Sequence, residues 1–230
     1  MLHIISTPIG SIEECSLQAA KVLVASDIIL AEDTRSFQHL YKSVQKLYNL
    51  ESNPNQKIWS YYKEVEFQKL PEVIGLLEKG KYISLVSEAG TPLISDPGSL
   101  LMQMVSKKGL SYSAIPGSTA FVNAAVLSGK PFSQLFFLGF FPKKPSEKNK
   151  LIVKIQNLLE LFPDSLTTLY ESPDRTKATV TTLVQSIPKI TCTIVREMNK
   201  THEEVIHITS ENIEELGDLR GEITLCISRK

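Results

Sequence analysis

Four segments gather the residues that could do chemistry: Ser6-Thr-Pro-Ile-Gly-Ser11, Ala31-Glu-Asp-Thr-Arg35, Ser87-Glu-Ala-Gly-Thr-Pro-Leu-Ile-Ser-Asp-Pro-Gly98 and Pro116-Gly-Ser-Thr-Ala120. Glycine permits positive φ and close backbone approach, and proline fixes the path of a loop. Such segments present rows of amides and carbonyls with little side-chain bulk, which suits a flat polar ligand such as an adenosine. One T-P-x-G or P-G-S by itself reads as a tight turn. Four of these segments, each directly after a predicted strand, point to a ligand instead. Asp33 and Glu171 also follow predicted strands and are the candidate proton acceptors. Arg35 is placed to grip a phosphate by a bidentate contact. Each has a structural alternative: Asp33 as the N-cap of the next helix, Glu171 as a cap or an i,i+4 partner of Arg175, Arg35 as a solvated helix residue. Glu32 is the weaker candidate if it points into the sheet.

Other chemistries are absent. No G-x-G occurs, which removes the dinucleotide fingerprint, and Gly129-Lys130 runs into Pro131 rather than completing a P-loop. The histidines His3, His39, His202 and His207 form neither H-E-x-x-H nor a compact ligand cluster, and no G-x-S-x-G is present, so no metal site is expected. Cys15, Cys192 and Cys226 are too scattered for a disulfide framework, which points to buried thiols and a reducing, cytoplasmic setting. The first residues lack the basic flank and apolar run of a signal peptide, and no segment reads as a membrane span. Twenty-five basic residues balance twenty-five acidic ones. A nucleic-acid partner must therefore meet a local basic patch, and Lys143, Lys144, Lys148, Lys150 and Lys154 are the main one. Phe136, Phe137, Phe140 and Phe141, just before it, read mostly as packing residues.

The elements that must position these segments alternate. Strands are predicted at Leu2–Ser6, Asp27–Ala31, Lys57–Ser60, Lys81–Val86 and Leu110–Ile115. Helices are predicted at Leu17–Ser26, Ser36–Leu47, Phe67–Lys79 and from Pro97 to before Gly109. After Pro116-Gly117 the pattern resumes with helices at Ala120–Leu127, Lys148–Leu161 and Arg175–Ser186. The strands here are Leu135–Phe140, Ser165–Tyr170, Ile190–Arg196, Glu203–Ile208 and Glu222–Ile227, with a short acidic helix at Glu211–Leu216. The fold class is α/β, two lobes with mostly parallel, mixed sheets, spanning residues 1–116 and 117–230. In such sheets ligands bind outside the carboxyl ends of the strands, where all four segments fall.

With these motifs in order, the chain resembles the RsmI family of ribosomal RNA methyltransferases, within the tetrapyrrole-methylase superfamily. The likeness runs nearly end to end. It takes in Thr7-Pro-Ile-Gly10, Ala31-Glu-Asp-Thr-Arg35, Glu88-Ala-Gly-Thr-Pro92, Ser95-Asp-Pro-Gly98 and Pro116-Gly-Ser-Thr-Ala120. Further along it takes in Gly139-Phe-Phe-Pro-Lys143, Tyr170-Glu-Ser-Pro-Asp-Arg175, Arg196-Glu-Met-Asn-Lys-Thr-His-Glu-Glu204 and Gly221-Glu222. The resemblance implies S-adenosylmethionine (SAM) in a cleft between two lobes, a homodimer, and methylation of a cytidine 2′-hydroxyl in small-subunit rRNA, free or in the 30S particle. The cofactor contacts it implies are Pro8, Gly90, Thr91, Pro92, Ile94, Ser118, Thr119 and Ala120, with Tyr170 and Met198 from the second lobe. Ser11, Tyr61-Tyr62-Lys63, Asp174 and Asn199 depart from the family pattern, more on the substrate side than on the cofactor side. A methylase of tetrapyrroles or another substrate, and a SAM-binding module without catalysis, are the alternatives.

Overall fold

The branched and aliphatic runs form strands and the longer periodic runs form helices, through all 230 residues of the computed structural model. The chain divides between Thr119 and Ala120 into two units. The first contains β1 (Leu2–Ile5), α1 (Leu17–Ala25), β2 (Ile28–Ala31), α2 (Thr34–Tyr48), β3 (Lys57–Ser60), α3 (Lys63–Glu78), β4 (Ile83–Val86), α4 (Ser99–Lys107) and β5 (Tyr112–Ile115). Its five strands lie in the order β3-β2-β4-β1-β5, every pair parallel. Because every strand runs the same way, the segments that follow all five leave from one edge of the sheet.

Side-chain alternation along the strands feeds both faces. Ile28, Leu30, Ile83 and Leu85 pack with Leu70, Val73, Leu101 and Val105 of α3 and α4. Ile5, Ile29 and Val86 pack with Leu23, Phe37, Tyr41 and Val44 of α1 and α2. Full burial of each such side chain contributes about 1.5–3 kcal/mol. Neighbouring strands β1 and β4 thus send the chain to opposite faces, and a crevice opens at such a switch point.

The second unit contains α5 (Ala120–Leu127), β6 (Gln134–Phe140), α6 (Pro145–Leu161), β7 (Ser165–Glu171), α7 (Pro173–Ser186), β8 (Ile190–Arg196), β9 (Glu204–Ile208) and β10 (Ile223–Arg229). The strand order is β6-β7-β10-β8-β9. Only β6 and β7, joined through α6, are parallel; β10 enters antiparallel between β7 and β8, and β9 folds back on β8. A parallel pair needs a crossover, which the short β8–β9 connection does not supply. Ile155, Leu159, Val180 and Leu183 of α6 and α7 share one core with Leu169, Cys192, Ile194 and Leu225.

Several boundaries differ from the sequence reading. α6 and α7 begin at Pro145 and Pro173, ahead of the predicted Lys148 and Arg175, because proline at the first helical position costs no hydrogen bond. α2 starts at Thr34, capped by Asp33. α3 starts at Lys63 instead of Phe67 and carries Pro71 inside it. The acidic segment near Glu211 is a single 3-10 turn, Ile213–Glu215. The three cysteines are free and buried, and no helix is long and apolar enough to cross a membrane.

Candidate active site

The segments that follow β1 and β4 are joined by a two-hydrogen-bond bridge. Thr7 N donates to Gly90 O at 2.9 Å and Gly90 N donates to Thr7 O at 3.1 Å. Thr7 Oγ1 also donates to Ser87 O at 3.2 Å, and Ser87 Oγ donates to Gly90 O at 2.7 Å. Gly90 has φ +90°, and a Cβ there would stand 3.3 Å from Ile9 Cγ2. At Gly117 a Cβ would come within 2.7 Å of Ser6 Cβ, so glycine lets the segment after β5 lie against the end of β1. Thr91 Oγ1 ties the three segments together, bonding Ser6 Oγ at 3.0 Å and Thr119 Oγ1 at 2.7 Å and donating to Ser118 O at 3.1 Å.

The segment from Ser87 to Gly98 has little room to be anything else. Leu93 and Ser95 both have positive φ, at 72° and 76°, in the left-handed region where non-glycine residues are strained. Such strain clusters at binding sites. Gly98, at φ +112°, has no space for a Cβ, which would lie 2.6 Å from Leu85 Cδ2. It also cannot cap α4 with a side chain. Glu66, buried on α3, does so instead, its Oε1 accepting from Leu100 N at 3.1 Å and Leu101 N at 3.2 Å.

These contacts bring together the first-unit residues that the resemblance implicates. Pro8, Gly90 and Pro92 are buried, while Thr91, Ile94, Ser118 and Thr119 are partly exposed around them. The set is uncharged and rich in hydroxyls and main-chain groups, a donor set that fits an adenosyl group. In the second unit, Ala120 opens α5 and Tyr170 lies near the end of β7 against Phe137 and Phe140. Met198 is buried in the β8–β9 connection, two residues beyond β8. β7 and β8 point the same way across β10, so Tyr170 and Met198 share one edge of that sheet.

The predicted catalytic residues part company. Asp33 is exposed, and its Oδ1 accepts from Arg35 N at 2.7 Å and Ser36 N at 3.2 Å. These backbone bonds hold its carboxyl below the usual range, which makes it a weak base. Arg35 is exposed on the first turn of α2, at the same edge. Glu171 is buried and fully engaged: it pairs with Arg175, accepts from Thr179 Oγ1 at 2.6 Å and accepts from Ser172 N at 2.7 Å. Arg175 in turn donates to Phe141 O at 3.1 Å. Glu171 thus has the surroundings of an anchor that locks the start of α7.

A group that the sequence reading did not single out has the electrostatics of a base. Burial, then the charges of Glu32 and Glu88, push the Asp96 carboxyl up to about 7. Glu32 is raised in the same direction by burial, then by Glu88 and Glu64. Glu32, Asp33 and Glu88 line one small recess with Ser36 and Phe37. Asp96 stands in the S-D-P-G run, but its burial follows from the folded loop and no residue type in the run announces it.

Elsewhere the departures find local reasons. Ser11 caps the turn Ile12–Glu14. Tyr61 is buried, its phenol raised by burial and by Glu66, whereas Tyr62 is exposed. Asn199 takes φ +57°, a conformation asparagine tolerates well. Asp174 lies in the first turn of α7, the favourable end of the helix dipole for an acid. Lys143, Lys144, Lys150 and Lys154 are exposed and Lys148 is partly so, its ammonium 6.0 Å from the Phe141 ring centroid. Phe141 is core, Phe137 stacks on Phe121, and Phe140 is 56% exposed.

Comparison with known proteins identifies the family. The family model "Tetrapyrrole (Corrin/Porphyrin) Methylases" matches residues 1–214. The chain is 36% identical to ribosomal RNA small subunit methyltransferase I of Hydrogenobaculum sp. (strain Y04AAS1), covering 100% of this chain and 96% of that protein. It is 33% identical to the protein of the same name from Thermotoga maritima, covering 100% and 98%. Among solved structures, cobalt precorrin-4 methyltransferase superposes with a TM-score of 0.66 at 15% identity, covering 99% of this chain and 94% of that one. Uroporphyrin-III C-methyltransferase from Thermus thermophilus, complexed with S-adenosyl homocysteine, gives 0.63 at 13%, covering 99% and 96%. The methylase model over nearly the whole length and end-to-end kinship lead to one conclusion: the chain belongs to the tetrapyrrole methylase family.

Proposed function

We propose that this enzyme methylates the 2′-hydroxyl of a cytidine ribose in small-subunit rRNA, using SAM. Family membership and kinship over the whole chain make it a SAM-dependent rRNA methyltransferase; the ribose hydroxyl and the base are the finer part of the proposal. What supports it is the cluster of hydroxyl and main-chain groups at the carboxyl edge, where Thr91 ties Ser118 to Thr119, with Arg35 exposed at the same edge. Gly90, Thr91, Pro92, Ile94, Ser118 and Thr119, with Pro8, are the groups we assign to hold SAM in the first unit. When bound, SAM supplies an electrophilic methyl group on a sulfonium centre.

The chain's own part is to orient the ribose and take a proton. A ribose hydroxyl is a poor nucleophile at neutral pH, and a base with pKa near the working pH serves it best. Asp96 meets that requirement better than Asp33, which is committed to capping α2 and is held acidic. Asp33 then serves by fixing the turn that presents Arg35, whose guanidinium grips a phosphate beside the target ribose. Glu171 holds β7 to α7. The lysines at the start of α6 extend the phosphate contacts. Two copies are expected to associate, in the cytoplasm, where the ribosome is assembled.

The test is transfer from methyl-labelled SAM to isolated small subunits and to naked rRNA, followed by digestion to nucleosides. Label in 2′-O-methylcytidine supports the proposal. Label on a base, or transfer only to a tetrapyrrole, overturns it. SAM binding with no transfer to any acceptor indicates a binding module instead.

A further inference from the structure

The turn Ile12–Glu14 is closed by a capping box, in which the Glu14 carboxylate returns to the backbone of Ser11. One oxygen suffices for that: Oε1 accepts from Ser11 N at 2.8 Å. The other does something the motif does not require. Oε2 accepts from Ile9 N at 2.8 Å and from the Ser118 hydroxyl at 2.5 Å, across 104 positions of sequence. One carboxylate thus clasps the loop after β1 to the loop after β5. The clasp continues into the crevice, since Ser118 O accepts from Thr91 Oγ1, which bonds Thr119 Oγ1 and Ser6 Oγ. A Cβ on Gly90 would lie 3.5 Å from Ser118 O, so the third loop is seated against the same residue.

We infer that Glu14 is a positioning residue of the SAM site, holding Ser118 and the loops around it in their binding geometry. The inference rests on the assignment of SAM to this crevice. Its chemistry requires an ionised carboxylate. Each oxygen faces a main-chain N–H, so glutamine, in either amide orientation, turns an NH₂ group toward a donor. Charge-assisted bonds of this kind are roughly twice as strong as neutral ones. Because Glu14 acts through Ser118, their effects on SAM binding must be coupled and not additive.

The experiment is a double-mutant cycle of Glu14→Gln and Ser118→Ala, read by calorimetric SAM titration and by steady-state kinetics on small subunits. Ser118→Ala removes only a hydroxyl and guards against misfolding of the Glu14 variant, and thermal unfolding of each protein is recorded. The expected result is a tenfold or greater rise in SAM Kd for each single variant and no further rise in the double. KM for SAM should rise while kcat at saturating SAM and KM for the subunit stay within about twofold of the parent. SAM Kd within twofold of the parent in either variant, or a double variant showing the product of the two losses, overturns the role of Glu14. A parent protein that binds no SAM overturns the functional reading as well, so the two failures are distinct.

Discussion

At the residue scale, we propose that Asp96 takes the hydroxyl proton and that Glu171 anchors α7. Burial and then the neighbouring carboxylates raise Asp96 to about 7, so it changes charge near neutral pH. If it takes the hydroxyl proton, kcat/KM rises with pH through about 7 and then levels. Asp96→Asn should lower kcat by about 100-fold or more, within the usual range for a lost general base. A stability effect accompanies this. The folded protein binds the Asp96 proton more tightly than the unfolded chain does, so this contribution is full below about pH 4 and lost as pH rises through about 7. Asp96→Asn should therefore melt higher than the parent at pH 8, and the gap should close by pH 4. Glu171 behaves oppositely. Removing it strands Arg175 in a half-buried site, and breaking a buried pair costs about 3–5 kcal/mol. Glu171→Ala should lower the melting temperature sharply, while the turnover of the remaining folded fraction stays within a few-fold; loss of turnover with unchanged melting would return Glu171 to the catalytic group.

At the element scale, helix ends and loops carry the site. α4 begins at a glycine and borrows its cap from α3. Glu66→Ala should cost about 1–2 kcal/mol, the range for a lost N-cap, and weaken SAM binding through the loop that ends at Gly98; denaturant titration and calorimetry check both. The start of α6 should behave independently. Reversing Lys148, Lys150 and Lys154 to glutamate should weaken RNA binding at least tenfold and flatten its salt dependence, since each lost phosphate contact removes one released counterion. SAM affinity should not change, and an equal loss of both would make the cluster structural. Much at this scale was legible beforehand. Thr7-Pro-Ile-Gly10 and Pro116-Gly-Ser-Thr-Ala120 announce their geometry because glycine and proline report backbone shape directly. Leu70, Val73, Ile74 and Leu77 announce a buried face because helical spacing does the same for packing. The starts of α6 and α7 lie ahead of the predicted ones, at Pro145 and Pro173, which serve as first helical residues.

At the scale of the whole molecule, what the residues could not announce is what depends on distant partners. Glu14 gains its role from Ser118, and Glu66 from Leu100 and Leu101, 34 and 35 positions away. Asp96 gains its raised carboxyl from burial first and then from Glu32 and Glu88, on loops that the β2-β4 pairing brings side by side. The antiparallel entry of β10 between β7 and β8 is equally non-local, since strand-helix alternation is the same for either neighbour order. The account depends above all on the donor crevice at the β1–β4 switch point. Its most direct test is a crystal structure of the full chain grown with SAM, alongside calorimetric titration in solution. The account predicts a saturable heat and the adenosyl group seated against Gly90–Thr91 and Ser118–Thr119. A flat titration, or a donor bound away from those loops, would contradict it.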